Sequence, residues 1–198
     1  YMGGAVSSTF NIDYSLMIKN SSFLYNQAYS GGAIHISGYN QKLHRNIIAY
    51  NQASNIGGAM YLYNCKNVEI YNNTITGNTL TNHESSNKGA ALYIKGSPAL
   101  NFSNTRIVNT ILRDNANVDT DREIFIDMNE GTSSNYVKIS YSNWSGDTTQ
   151  LESTNASGQF VFENENQTEP AQLINASLLN FELQATSPCI DAGNPDLD

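Results

Sequence analysis

Charge is scarce in this chain of 198 residues. Asp, Glu, Lys and Arg make up 14% of it, against about 25% in an average globular domain. Basic residues are the scarcer sign: ten, against eighteen acidic, for a net charge of −8. No basic stripe runs along the sequence, which argues against nucleic acid and against anionic membrane surfaces as partners. No apolar run approaches the roughly 18 residues of a spanning helix, and no signal peptide is visible. Cysteine is nearly absent. Cys65 and Cys189 allow at most one disulfide, and no metal-type Cys/His spacing exists. Good helix formers are sparse as well.

What fills the gap is small and polar: 28 Asn, 21 Ser, 14 Thr and 14 Gly. Such residues favour caps and turns over helix interiors. The 12 Tyr, 7 Phe and 1 Trp argue against a disordered acidic tail. An all-β, turn-rich protein remains.

Self-similarity is the strongest signal. One block recurs at Gly3-Gly4-Ala5-Val6, Gly31-Gly32-Ala33-Ile34, Gly57-Gly58-Ala59-Met60 and Gly89-Ala90-Ala91-Leu92, with a degenerate copy at Asp121-Arg122-Glu123-Ile124. After each block an apolar residue is followed five positions on by another: Ile18 and Phe23, Leu43 and Ile48, Ile70 and Ile75, Ile107 and Leu112, Ile139 and Trp144. Three residues later comes Asn26, Asn51, Asn78 or Asn115, and in the last copy Asp147. Each unit reads as strand, turn, strand, turn. The first strand alternates, as in Ile34-His35-Ile36 and Met60-Tyr61-Leu62, so one of its faces is buried. A unit this small must stack on its neighbour. Stacking in register predicts a parallel β-helix with two apolar columns inside and an Asn ladder at a turn.

The Gly-Gly-Ala-aliphatic and Phe23-Leu24-Tyr25-Asn26 blocks resemble the repeats of polymorphic outer membrane proteins, within the pectin-lyase-like superfold. The resemblance covers roughly residues 3–147. It implies a right-handed β-helix of about five coils. The tail from Leu183 to Gly193 is similar to the closing segment of many secreted bacterial β-helix proteins, which implies an exported, extracellular or cell-surface setting. No catalytic motif of the lyase relatives matches residue by residue, so none is carried over. Residues 1–154 are expected to form the coils, and 155–198 a polar connection and a terminal coil of the same domain. In it, Leu173, Ile174, Leu178, Leu179, Phe181 and Leu183 would cover the open end of the core. Polar loops are expected at 79–88 and 129–135. The repeat-like start suggests a fragment of a longer chain.

Two candidate sites emerge. The outward positions of the first strand form the column Ser7, His35, Tyr61, Tyr93, Phe125, whose rings could stack on sugars; Tyr63, Lys95 and Asp127 beside it add polar groups. Acidic residues Asp119, Asp121, Glu123 and Asp127 offer hard oxygen ligands for Ca²⁺ or a carboxylate pair, although Arg122 is a ready counter-ion there. The column Met17, Lys42, Glu69, Arg106, Lys138 reads as surface ion pairs. The thiols are expected to be free, because stacked repeats hold them apart. The leading expectation is a non-catalytic extracellular scaffold of adhesin type that binds a polysaccharide or a cell-surface protein, with no cofactor. The alternatives are a polysaccharide lyase or glycoside hydrolase, and a filament of end-to-end stacked copies.

Overall fold

The computed structural model describes residues 2–9, 14–82, 88–96, 104–117, 123–128, 135–154 and 158–197. Four parallel sheets run side by side through the stack. The first joins Val6–Thr9, Ile34–Tyr39, Met60–Lys66, Leu92–Gly96, Ile124–Met128 and Leu151–Ser153. The second joins Met17–Lys19, Lys42–His44, Val68–Tyr71, Asn104–Val108, Asn135–Ser140 and Gly158–Phe162. The third joins Ser22–Leu24, Ile47–Ala49, Thr74–Thr76, Ile111–Arg113 and Asn143–Trp144, and the fourth Gln27–Ser30, Gln52–Ile56, Thr79–Leu80 and Ala116–Asn117. Each strand pairs in parallel with its counterpart one repeat away. This architecture is consistent with a parallel β-helix.

Each repeat therefore has more strands than the two expected from its sequence. The extra corners come from residues in the left-handed region. Asn20, Arg45, Asn72, Asn109 and Tyr141 (φ 48° to 57°) separate the second sheet from the third. Tyr25, Tyr50, Gly77 and Asp114 (φ 56° to 65°) separate the third from the fourth. Asn and Asp tolerate this region better than most residues, because their side chains bond locally. The Gly-Gly-Ala block serves a different need: a Cβ at Gly32 or Gly58 would collide with carbonyls of its own and the next repeat.

The core joins the two apolar columns to the inward side chains of the first sheet, among them Ile34, Ile36, Leu62 and Ile94. Ile18, Leu43, Ile70, Ile107 and Ile139 are register partners down the second sheet. Phe23, Ile48, Ile75, Leu112 and Trp144 are partners down the third. Burying such side chains is worth roughly 1.5–3 kcal/mol each. The stack also continues past residue 154, since Gly158–Phe162 pairs with Asn135–Ser140.

The C-terminal segment does not lie over the end of the core. Leu173–Asn175 and Asn180–Leu183 form an antiparallel hairpin at the flank. Leu178 is 77% exposed, and Ile174 and Leu179 are exposed too. Phe181 packs near Tyr50 at 6.3 Å, and Leu179 and Phe181 line a hollow with Ile47 and Thr74. Asn194 N donates to Asn109 Oδ1 at 2.7 Å, and Leu197 lines a hollow together with His44 and Arg45. The reason is local: apolar Ile47 and Ile111 occupy outward positions of the third sheet and need cover. Meanwhile Trp144 and Phe162 stack at 4.7 Å in the last repeats. The expected loop at 79–88 begins later than predicted, because Thr79–Leu80 is a strand; residues 83–87 and 129–134 lie outside the described residues. Cys65 and Cys189 are free. Burial pushes the Cys65 thiol up to about 12.

Candidate functional site

The outward column of the first sheet is in register as expected: Ser7, His35, Tyr61, Tyr93, Phe125. Its rings, however, are not an open platform. His35, Tyr61, Tyr93 and Phe125 are all buried. His35 stacks on Tyr61 with centroids 4.7 Å apart, Tyr61 meets Tyr93 edge-on at 5.5 Å, and Tyr93 stacks on Phe125 at 5.4 Å. Ile56 packs against them, and Lys88 Nζ sits 4.2 Å from the Phe125 ring centre while reaching Glu152 at 3.2 Å. The repeat spacing of about 4.8 Å is close to ring-stacking distance, so rings in one column satisfy one another. Burial holds the His35 imidazole below its usual range, and neither ring nitrogen has a hydrogen-bond partner.

The open part of this face is the neighbouring strip. Tyr63 is 40% exposed and tilts against Tyr61 at 5.9 Å. Lys95 lies one repeat further and pairs with Asp127 at 3.5 Å. Tyr93 Oη donates to Asp127 Oδ2 at 2.7 Å. That bond favours the protonated phenol, which burial favours too.

The acidic cluster is not assembled as expected. Asp119 and Asp121 lie outside the described residues. Glu123 and Asp127 have different partners: Asp127 takes Tyr93 and Lys95, while Glu123 turns inside and is 1% exposed. Its Oε1 accepts from the backbone N and Nδ2 of Asn115, at 3.3 and 3.4 Å.

That contact ends the Asn ladder. Asn26 Nδ2 donates to Asn51 Oδ1 at 2.9 Å, Asn51 to Asn78 at 2.8 Å, and Asn78 to Asn115 at 2.8 Å. Each acceptor also takes the backbone N–H of the preceding rung. The last rung was expected at Asp147. Instead Asp147 caps a short turn and accepts from Thr149. Among the described residues the fourth sheet ends at Ala116–Asn117 and no further Asn rung lies over Asn115. Glu123 occupies the Ala position of the repeat, next to Ala91, and its longer side chain fills the vacated place. Burial raises its pKa to about 7, outweighing the two bonds from Asn115. Its Oε2 has no partner.

A second ladder, missed from sequence, runs five residues earlier. Asn46 Nδ2 donates to Asn73 Oδ1 at 3.0 Å. Asn73 N donates to Thr110 Oγ1, Thr110 N to Ser142 Oγ and Ser142 N to Asn166 Oδ1, at 3.3, 3.1 and 3.0 Å. The signal was present in Asn46 and Asn73, but Thr110 and Ser142 hid the column.

The outer face of the second sheet carries the column Met17, Lys42, Glu69, Arg106, Lys138. Lys42 pairs with Glu69 at 3.0 Å, and Lys138 with Glu163 at 2.7 Å. Beside it, His44 and Tyr71 stack at 5.1 Å. His44 Nε2 is 3.4 Å from Glu69 Oε2, within ion-pair range but not aligned for a hydrogen bond. Burial outweighs Glu69 and holds the His44 imidazole below its usual range. Among the described residues no group of three or more His, Cys, Asp or Glu is placed to hold a metal, and no helix is long and apolar enough to cross a membrane.

No family model, no curated protein and no solved structure matches this chain.

Proposed function

We propose that this chain is a rigid, non-catalytic scaffold of the right-handed parallel β-helix kind, with about five coils, displayed outside the cell or at its surface and holding a glycan on the strip Tyr63, Lys95, Asp127. The observation that carries this reading is that the ladder amides and the surface carboxylates are committed to holding the stack. The amides of Asn51, Asn78 and Asn115 bond to the repeats on either side. The carboxylates of Glu69, Asp127, Glu152 and Glu163 are tied to lysines. Groups held this way give stiffness rather than proton transfer. The pairing also leaves Tyr63 as the exposed ring on the first sheet's outer face, beside a charged pair that can bond sugar hydroxyls.

The test is a panel of neutral and acidic polysaccharides incubated with the full chain. Binding without new reducing ends or unsaturated products is expected, and Tyr63→Ala should weaken neutral-glycan binding several-fold. Release of cleaved product would replace this reading with that of a hydrolase or lyase. Binding to no polysaccharide would remove the glycan from it.

A further inference from the structure

Positive charge is unevenly placed on this acidic molecule. Five of its ten Lys and Arg (Lys19, Lys42, Arg45, Arg106 and Lys138) belong to the outer side of the second sheet and the corner after it. In sequence they are spread over residues 19–138, which is why no basic stripe is visible there. Parallel register gathers them. Lys42, Glu69, Arg106 and Lys138 stand in one column, with Lys19, His44 and Tyr71 in the next. Among the described residues the two acids of this sheet are engaged, Glu69 by Lys42 and Glu163 by Lys138, while the exposed Asp196 stands in the tail beside Leu197. Among the described residues Lys19 and Arg45 have no acidic partner, and both are exposed.

Lys19 and Arg45 flank a cleft of about 400 Å³. The stacked His44 and Tyr71 rings line it, and the Arg106 guanidinium lies 5.8 Å from the Tyr71 ring centre. Exposed Met17 and the tail residue Leu197 add apolar surface. Unneutralised cations beside apolar surface suit a ligand with negative charge and C–H faces together. Positions of this column recur once per stacked unit, about 4.8 Å, with Glu69 standing between Lys42 and Arg106. A sugar chain with one carboxylate or sulfate per ring matches such a ring-sized step. Duplex nucleic acid carries one charge per about 1.7 Å of axis, which calls for a denser basic surface than one interrupted by Glu69. We infer that this cleft is a binding site for an acidic polysaccharide, carboxylated or sulfated. The inference rests on the glycan-binding reading above but places the ligand on a different face.

The experiment measures binding of the full chain to dextran sulfate, alginate, uncharged dextran and single-stranded DNA at low and raised salt. Dextran sulfate or alginate should bind and weaken with salt, uncharged dextran should not compete, and DNA should bind more weakly. The double variant Lys19→Glu/Arg45→Glu, with an unchanged circular dichroism melt, should bind the acidic chain at least about tenfold more weakly. Lys66→Ala, at the end of a first-sheet strand and outside the lining of the cleft, should leave that affinity unchanged. Equal affinity in the double variant, DNA binding as tight as dextran sulfate, or no binding of either acidic chain would overturn the assignment. Loss of acidic-chain binding in Lys95→Ala with none in the double variant would also overturn it, while leaving the strip on the first sheet standing.

Discussion

The two side-chain ladders inside the stack differ in composition and in how they end. One is built from Asn26, Asn51, Asn78 and Asn115 and terminates on the carboxyl of Glu123. The other mixes Asn46, Asn73, Thr110 and Ser142 and terminates on Asn166. An amide donates and accepts at once, so like rungs propagate without limit. A hydroxyl still accepts the N–H of the preceding rung and donates its own proton to a carbonyl, but carries fewer bonds. An ionised carboxyl only accepts. The comparison separates what a rung must do, which is to accept the neighbour's backbone N–H, from what Asn adds.

Removing a rung from the all-Asn ladder should cost most. Asn78→Ala leaves the backbone N–H of Asn51 unpaired, removes one acceptor of its Nδ2, and takes the Nδ2 donor from Asn115 Oδ1 and from the carbonyls of Ile48 and Thr76. Denaturant unfolding should show a loss of about 3–4 kcal/mol, from about 1–3 kcal/mol per buried group left unsatisfied. Thr110→Ala breaks the mixed ladder more gently. It orphans the N–H of Asn73 and removes the hydroxyl that donates to Ile70 O or Val108 O. A loss of about 1–2 kcal/mol is expected by the same measurement. Equal costs at the two positions would mean that the extra Asn bonds contribute nothing.

Much of this architecture is legible in the sequence. The apolar pairs spaced by five residues placed both inner columns, and the Asn three residues later placed four rungs of one ladder. Alternation in Ile34-His35-Ile36 and its counterparts placed the first sheet. What stayed hidden depends on contacts between repeats. That His35, Tyr61, Tyr93 and Phe125 close on one another follows from repeat spacing, not from alternation, which marks them as outward-facing. Thr110 and Ser142 act as rungs only because a hydroxyl can accept like an amide, an equivalence a search for Asn does not see. The path of residues 171–197 along the flank answers to Ile47 and Ile111, whose outward direction depends on corners that the five-residue spacing does not mark. Glu123 reads from the sequence as part of an acidic cluster, because Asp119, Asp121 and Asp127 lie close to it in the chain. Its inward direction follows from the Ala column it replaces and from the early end of the fourth sheet.

Glu123 also gives the most direct test that the ladder is continuous and ends on a buried carboxyl. Its pKa is raised in the folded protein, to about 7. The protonated form is therefore the one the fold favours. Stability is fullest below the unfolded-state value of about 4.3 and is lost as pH rises through about 7. His35 works in the opposite sense. Held neutral by burial, it contributes above about 6.5 and is lost as pH falls. It is common to the wild type and to Glu123→Gln, so it cancels in their difference. The measurement is the difference in unfolding free energy between these two proteins from pH 4 to pH 8. It should shift by about 3 kcal/mol in favour of the Gln variant, with the change centred between pH 4.5 and 7. A difference that stays constant across this range would contradict a buried carboxyl at the end of the ladder.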